Sequence, residues 1–297
     1  MKELYKYLAI LFISASFIQE ASAQLHPLGN MYYQNQYIGN PAFAGVEAGL
    51  NTNAVYRKQF TEIPGSPVTQ SLTGDYGFDN RTAVGLNLNF SKSGLINYTR
   101  IMASYAYHLP LSEDNKLHFG LSLGFTREHI NSRDISGDDF DPVTNRFNDR
   151  GNQLDGDFGM AFTGKKLTLQ AAIINLNNYL QTDPNFVNGV NYATFFSAVS
   201  YKIAINPQFL AEPKVAYRGI KGYEDIIDAG INLTYQERFS IYSLYHTTNS
   251  ATFGFGLGYN DALTFTGMYT TNTSDLRGYT NGDFEVGLNF KISKKKN

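Results

Sequence analysis

The chain has 297 residues, of which 42% are hydrophobic and only 17% charged, and its formal net charge is −2. Mean hydropathy is −0.29, and no run of about 18 uncharged apolar residues occurs, which excludes a bundle of membrane-spanning helices. The absence of cysteine excludes disulfides, thiolate catalysis and Cys-ligated metals. No basic residues cluster as a nucleic-acid partner would require. What needs explaining is the pairing of 21 Tyr, 22 Phe and 27 Gly with low average hydropathy.

Residues 1–23 read as a secretory signal peptide. Lys2 and Lys6 give the positive start, Leu8 to Ile18 the short apolar stretch, and Ala21-Ser22-Ala23 the small residues of a cleavage site. The mature chain is expected to begin at Gln24. Removing the leader takes away two lysines and two glutamates, so the net charge is unchanged.

Residues 24–49 come next as an N-terminal segment, either periplasmic or plugging. Within it Pro41 disfavours helical geometry at Asn40, and Gly45 can take a positive φ, so Asn40-Pro41-Ala42-Phe43-Ala44-Gly45 predicts a tight turn leading into the first strand.

From residue 50 onward the dominant period is two. Val84, Leu86, Leu88 and Phe90 alternate with Gly85, Asn87 and Asn89; Leu117, Phe119, Leu121, Leu123 and Phe125 alternate with His118, Gly120, Ser122, Gly124 and Thr126. The same holds for Phe253, Phe255, Leu257 and Tyr259, and for Phe284, Val286, Leu288, Phe290 and Ile292. Side chains change face at every residue of a strand, so each segment has one apolar face and one polar or glycine face. No stretch sustains a 3.6-residue stripe. Strands are predicted near 50–59, 67–76, 82–91, 98–109, 116–126, 154–163 and 167–176. Seven more are predicted near 192–202, 208–218, 226–235, 239–246, 251–259, 263–270 and 282–292. That makes about 14, close to the length a tilted strand needs to cross a bilayer.

Connections decide between a soluble sandwich and a membrane barrel. Those after even-numbered strands are short, as at Phe78 to Arg81, Gly164 to Lys166 and Gln236 to Arg238. The long ones, 127–153, 177–191 and 271–281, all follow odd-numbered strands. Short periplasmic turns and longer extracellular loops are the pattern of an outer-membrane antiparallel β-barrel. The composition then has a cause. Leu, Val, Phe and Tyr face lipid, Gly, Asn, Ser and Thr face the lumen, and tyrosines such as Tyr105, Tyr201, Tyr235 and Tyr259 sit at strand ends as an interfacial girdle. The barrel is placed at residues 50–292 and a periplasmic tail at 293–297.

Asp134, Asp138, Asp139 and Asp141 in the loop 127–153 could present hard oxygens to Ca²⁺. Their spacing fits no EF-hand, and Arg133, Arg146 and Arg150 interleave with acidic residues, so the loop reads as solvated or partner-facing. His118 and Ser122 share a face, but four residues of strand separate them by about 13 Å, too far for proton transfer. Gly254-x-Gly256-x-Gly258 has period two and no following helix, so it is a lumen wall and not a dinucleotide loop. No catalytic residue, metal or cofactor is expected. Arg57, Arg100, Lys214, Arg218 and Lys291 are expected to reach inward, where charge costs less than against lipid.

Two resemblances close the reading. Glu285, Gly287, Phe290 and Ile292 look like the C-terminal signal read by the barrel-assembly machinery. More distinctive is the order of Tyr32-Tyr33-Gln34-Asn35-Gln36-Tyr37, Asn40-Pro41-Ala42-Phe43-Ala44-Gly45, Tyr56-Arg57-Lys58-Gln59-Phe60 and Gly65-Ser66-Pro67-Val68-Thr69. It resembles the PorP/SprF family of type IX secretion outer-membrane proteins, with Phe60 where that family commonly has Trp. The resemblance implies a barrel without enzymatic activity that helps export or surface-anchor a cargo or adhesin carrying a C-terminal signal domain. Its implied partners are outer-membrane lipid, that cargo, and the periplasmic and lipoprotein parts of the secretion or gliding machinery. Candidate partner-binding residues are Asn40, Pro41, Phe43, Gly45, Arg57 and the four loop aspartates. The alternative from another class is a transporter or porin for small or hydrophobic solutes.

Overall fold

The computed structural model describes residues 28–79, 81–131, 142–180, 193–260, 262–272 and 280–293. The signal-peptide stretch, Asp134, Asp138, Asp139 and Asp141 therefore lie outside the described residues. So does most of the tail.

One antiparallel sheet accounts for nearly all of the chain. Its strands are β1 (Gly49–Lys58), β2 (Val68–Gly77), β3 (Thr82–Ser93), β4 (Ile96–Pro110), β5 (Lys116–Ile130), β6 (Gln153–Thr163), β7 (Leu167–Ile174) and β8 (Thr194–Tyr201). After the two-residue β9 (Ile203–Ala204) come β10 (Phe209–Ile220), β11 (Ile226–Tyr235), β12 (Phe239–His246), β13 (Ser250–Tyr259), β14 (Leu263–Thr270) and β15 (Asp283–Ser293). β10 pairs with both β8 and β11, and β1 pairs with β15 from Gly49↔Ser293 to Lys58↔Phe284, so the sheet closes into a 14-stranded barrel.

β9 is not a spanning strand. Pro213 lies opposite Tyr201, just before the break, and has no N–H to continue the ladder there. Lys202 N–H continues the register with the β7 side by donating to the Lys166 carbonyl at 2.8 Å, and Ile203–Ala204 resumes pairing with β10.

The predicted strands agree with these to within a few residues, with one informative extension. β4 and β5 run 15 residues each, past the membrane. Their outward residues are apolar from Leu109 and Leu117 up to the cross-strand pair Ile101↔Phe125. Above it the outward pairs become Thr99↔Arg127 and Asn97↔His129. The apolar band thus stops while hydrogen bonding continues, because a hairpin needs no apolar face once it stands in water. Beyond it a short helix, Pro142–Asn148, is tied to this hairpin. Asn148 accepts from Ile130 N–H at 2.8 Å and returns a bond to the Ile130 carbonyl at 3.0 Å.

The outer wall carries the alternating apolar residues, half-exposed because lipid would cover them: Leu123, Phe125, Leu154, Tyr245, Phe253 and Tyr259 are all more than 50% accessible. Short turns close the periplasmic rim. In the turn after β2, Asp79 Oδ1 accepts the N–H of Arg81 and of Thr82, each at 2.7 Å, and these donors hold its carboxyl below the usual carboxylate range. Glu237 and Gln236 both take positive φ, closing the three-residue turn between β11 and β12.

The outer wall yields a first prediction. Leu288, at the middle of the outward face of β15, pairs Ala54 on one side and Phe265 on the other. Leu288→Arg should cost about 2–4 kcal/mol of folding stability in bilayers, measured by urea unfolding in liposomes. The lumen-facing Asn289→Ser should change it by much less.

Candidate functional site

The interior is occupied by the chain's own N-terminal segment. Residues 28–45 run down the lumen from the extracellular half to the periplasmic rim as three single 3₁₀ turns, Met31–Tyr33, Gln36–Ile38 and Pro41–Phe43. An irregular segment inside a barrel must have its backbone groups satisfied by the wall, and the wall is built to do this.

At the top, the Glu285 carboxylate accepts the backbone N–H of Asn30 at 2.9 Å and of Met31 at 3.1 Å. Arg57 Nε stands 3.5 Å from the same carboxylate, and Arg57 Nη2 donates to Asp283 at 2.9 Å. From the Asn30 side chain a second line runs the other way round the barrel. Asn30 Nδ2 donates to Thr270 Oγ1 at 2.7 Å, Thr270 shares a hydrogen bond with Thr252, and Thr252 Oγ1 lies 2.8 Å from His246 Nε2. His246 Nδ1 meets Asp228 at 2.6 Å. The other Asp228 oxygen takes the Tyr32 hydroxyl at 2.6 Å, and Arg218 completes the pair at 2.7 Å. One hydrogen-bonded belt therefore spans β10 to β15 and β1, with residues 30–32 as its central link. Arg218, His246, Thr252 and Glu285 are all at most 1% accessible.

Below the belt the segment packs through apolar contacts. Met31, Tyr32 and Tyr33 join inward-facing Ile174, Phe196, Tyr242, Leu244 and Met268 in one buried cluster. Tyr32 meets Phe196 edge-on with ring centroids 5.2 Å apart, and Lys214 Nζ sits 4.3 Å from the Tyr33 ring centroid while donating to the Tyr33 carbonyl at 3.1 Å. The lumen wall, expected to take Gly, Asn, Ser and Thr, also carries these apolar residues because the segment, not water, covers them.

Further down, Asn35 donates to Thr73 at 2.8 Å and the Tyr37 hydroxyl to Ser104 at 2.8 Å, with Ser122 bonded behind it. Then comes the predicted turn. Asn40 has extended backbone geometry and caps the 3₁₀ turn by accepting the Ala42 N–H at 3.0 Å. Its amide nitrogen donates to the Met160 carbonyl at 3.1 Å, and the Ala171 carbonyl lies 3.3 Å away. Gly45 has φ +61° and donates its N–H to Asp75 at 2.8 Å. Three wall glycines admit the lower part of the segment. A Cβ on Gly85 would overlap the Tyr37 hydroxyl, one on Gly120 the Pro41–Ala42 peptide, and one on Gly159 the Asn40 side-chain oxygen.

Of the sequence-predicted site residues, Asn40, Pro41, Gly45 and Arg57 are buried and Phe43 is half-buried. The first three and Phe43 belong to one turn, while Arg57 belongs to the upper belt. The inward basic residues also lie where expected, Arg100 pairing with Asp157 at 2.5 Å and Lys291 with Glu47 at 3.0 Å. The sequence reading missed Asp228, His246, Glu285 and the glycine cradle as a joint arrangement. Their only signal was polar or glycine character on the lumen face.

No serine–histidine pair forms around His118: it faces His108 and Thr163, each at 2.7 Å. Asp228, His246 and Thr252 follow the order of a hydrolase relay, but Thr252 is fully buried and already bonded to Thr270. Among the described residues no group of three or more His, Asp or Glu is arranged to hold a metal.

Beside the lower part of the segment, below Met31, the lumen is unfilled. A cavity of about 520 Å³ reaches from the rim at Lys291 and Glu47 up to Met31 and Gly287.

The family described as type IX secretion system membrane protein PorP/SprF matches residues 21–290, almost the whole barrel together with the segment inside it. The chain belongs to the PorP/SprF family. The motifs that carried the resemblance are thus the ones that build the plug and its first contacts, Tyr32 to Tyr37 and Asn40 to Gly45. Similar solved structures are outer-membrane barrels. The Acinetobacter baumannii outer membrane protein Omp33 is 9% identical with a TM-score of 0.50, covering 84% of this chain and 100% of its own. The TodX deltaS2S3 mutant, a monoaromatic hydrocarbon channel, is 10% identical with a TM-score of 0.47, covering 85% and 91%. The KdgM porin is 8% identical with a TM-score of 0.42, covering 82% and 99%. No curated protein sequence matches. The Omp33 likeness concerns the barrel fold alone, and this PorP/SprF chain is an outer-membrane barrel of the type IX secretion system.

Proposed function

We propose that this barrel works without catalysis, by binding a secreted cargo or adhesin through its C-terminal signal domain and helping to export it or hold it at the surface. Periplasmic and lipoprotein components of the secretion machinery, and in a gliding cell its motility apparatus, are the other partners. The observation that carries this reading is the plug that residues 28–45 form inside the lumen in a chain of this family: a plug held by a buried polar belt suits a docking platform better than a solute channel. Asp134, Asp138, Asp139 and Asp141 are the partner-facing residues on the outer side. Asn40, Pro41, Phe43, Gly45 and Arg57 act indirectly, by fixing the plug.

The test is deletion of the gene followed by surface proteomics. Loss from the surface of one or a few proteins carrying a type IX signal domain, restored by the intact gene, is the expected result. Every such cargo remaining displayed would end the proposal. The porin alternative predicts instead a steady open conductance of the purified protein in planar bilayers, with solute uptake lost on deletion.

A further inference from the structure

On one side of the barrel the apolar outer wall ends in a basic margin. The outward residues of β1 run Ala54, Tyr56 and then Lys58; those of β3 run Leu88, Phe90 and then Lys92. On β5 they run Leu123, Phe125 and then Arg127. In each strand the basic side chain takes the first outward position past the last apolar one, at the extracellular end. Lys92 and Arg127 are exposed and Lys58 is half-exposed. Register brings the three together. Val68 of β2 pairs with Lys58 on one side and with Lys92 on the other. Arg127 lies two strands beyond, in the row that joins Phe90 to Thr99. With strands about 4.8 Å apart, successive basic positions are about 10–12 Å apart, so two of these long side chains can reach one small anionic group between them.

The strands supply no counter-charge on this face. Past the apolar band, the other outward positions of β1 to β5 are Val68, Gln70, Asn97, Thr99 and His129. Glu128, between Arg127 and His129, falls on the inner face. Among the described residues no ion pair uses Lys58 or Arg127. Elsewhere on the rim the equivalent outward positions are acidic or neutral: Asp225 before β11, Thr247 after β12, Asn249 before β13 and Thr271 after β14. Lys221, after β10, is basic, but its ammonium already donates to the Asn178 carbonyl at 2.8 Å. The basic margin is therefore a local patch and not a girdle. Cations placed at the edge of the hydrocarbon reach the phosphates of lipid headgroups. Gln70, Asn97 and Thr99 stand among them with neutral donors and acceptors of the kind that sugar hydroxyls take up. Tyr56, Phe90, Ile101 and Phe125 lie just below as a surface for acyl chains. One ligand with phosphate, sugar and acyl parts matches all three layers.

We propose that Lys58, Lys92 and Arg127 form an outward-facing site for the phosphate groups of a glycolipid in the outer leaflet, with its sugars on Gln70, Asn97 and Thr99. The site lies on the outside of the wall, away from the plug, and does not depend on the secretion reading. A glycolipid held there sits under the β4–β5 hairpin, which continues into water above the same face.

The test is a titration of the full-length, detergent-purified barrel with lipid A, read by native mass spectrometry. Lys58→Gln, Lys92→Gln and Arg127→Gln should each weaken binding about fivefold, and the triple variant about a hundredfold. All three positions face outward, so the variants should keep the compact, heat-modifiable migration of a closed barrel; if the triple variant does not, the three single variants decide. A control of equal charge loss on the periplasmic turns, Lys165→Gln with Lys166→Gln and Arg238→Gln, should bind as wild type does. Lipid A stripped of its phosphates should bind wild type about a hundredfold more weakly, and excess inorganic phosphate should not displace the intact lipid. Lipid A binding that is unchanged in the triple variant, or in all three singles, overturns the proposal, as does equal binding of the stripped lipid. Phosphatidylglycerol bound as tightly as lipid A overturns it too, since any anionic lipid would then serve. Displacement by inorganic phosphate would make the patch a site for a free anion and has the same consequence.

Discussion

Gly159→Val is expected to turn a closed barrel into a conducting one. A Cβ at Gly159 already overlaps the Asn40 side-chain oxygen and comes within 2.9 Å of Pro41 Cδ. A valine there cannot share the space, and one of the two must move. The wall is held by ladders to β5 and β7 on either side, whereas the turn is held locally by a few side-chain bonds from Asn40. The turn should therefore leave. Overpacking of this kind costs about 1–3 kcal/mol, too little to unfold a closed sheet but comparable with the bonds holding the turn. Planar-bilayer recordings would check it. Wild type should show rare, brief openings, and Gly159→Val and a deletion of residues 28–45 should both show steady conductance. A valine variant that inserts and stays closed would mean that the turn has room to shift within the lumen.

The second large effect concerns the belt above. Asp228 is the meeting point of Arg218, His246 and Tyr32, all within 2.7 Å and all buried. Removing its carboxylate leaves the fully buried Arg218 guanidinium without its counter-charge and frees the Tyr32 hydroxyl that anchors the plug. Asp228→Ala should cost about 3–5 kcal/mol, seen as a lower urea midpoint in liposomes. It should also loosen residues 28–33, seen as faster proteolysis from the lumen. Replacing the pair together, Arg218→Met with Asp228→Leu, should recover much of the stability, because the cost lies in the uncompensated charge and not in the loss of the pair. The double variant should still have a loosened plug, since Tyr32 has no acceptor in it. If the double variant is as unstable as Asp228→Ala, the charge argument is wrong and His246 carries the penalty.

The two predictions differ in kind because the two halves of the plug are held differently. The upper half is bonded through charge in a dry interior, where each broken link is expensive. The lower half is held by separate hydrogen bonds, such as those of Asn35, Tyr37 and Asn40, and by shape, through glycines that leave no room for a side chain. A plug built this way is expected to release from below first. That order is consistent with a cavity that opens toward the periplasm.

Much of this was legible from residues alone, and the reason is locality. Alternation in β5 or β15 depends only on neighbours two positions away, so Leu121, Leu123 and Phe125 could be assigned to lipid and His118, Ser122 and Thr126 to the lumen without knowing any partner. Short connections on one side and long ones on the other set the orientation in the same way. The turn at Asn40 to Gly45 was also local, since Pro41 and Gly45 restrict their own backbone, and the observed φ of Gly45 is +61°.

What the sequence could not contain was the company each lumen residue keeps. Glu285 meets Asn30 across 255 positions and Asp228 meets Tyr32 across 196. Such contacts follow from closure of the sheet and from where the segment descends inside it. Tyr242, Leu244 and Met268 looked like ordinary strand residues and prove to be the floor on which Tyr32 and Tyr33 rest. The excess of Tyr, Phe and Gly therefore has two sources. Lipid and its interfaces account for the aromatics outside, which periodicity alone could assign. The plug accounts for tyrosines and glycines inside, and only the folded barrel could assign those, because a glycine is spacious or crowded according to what lies across from it.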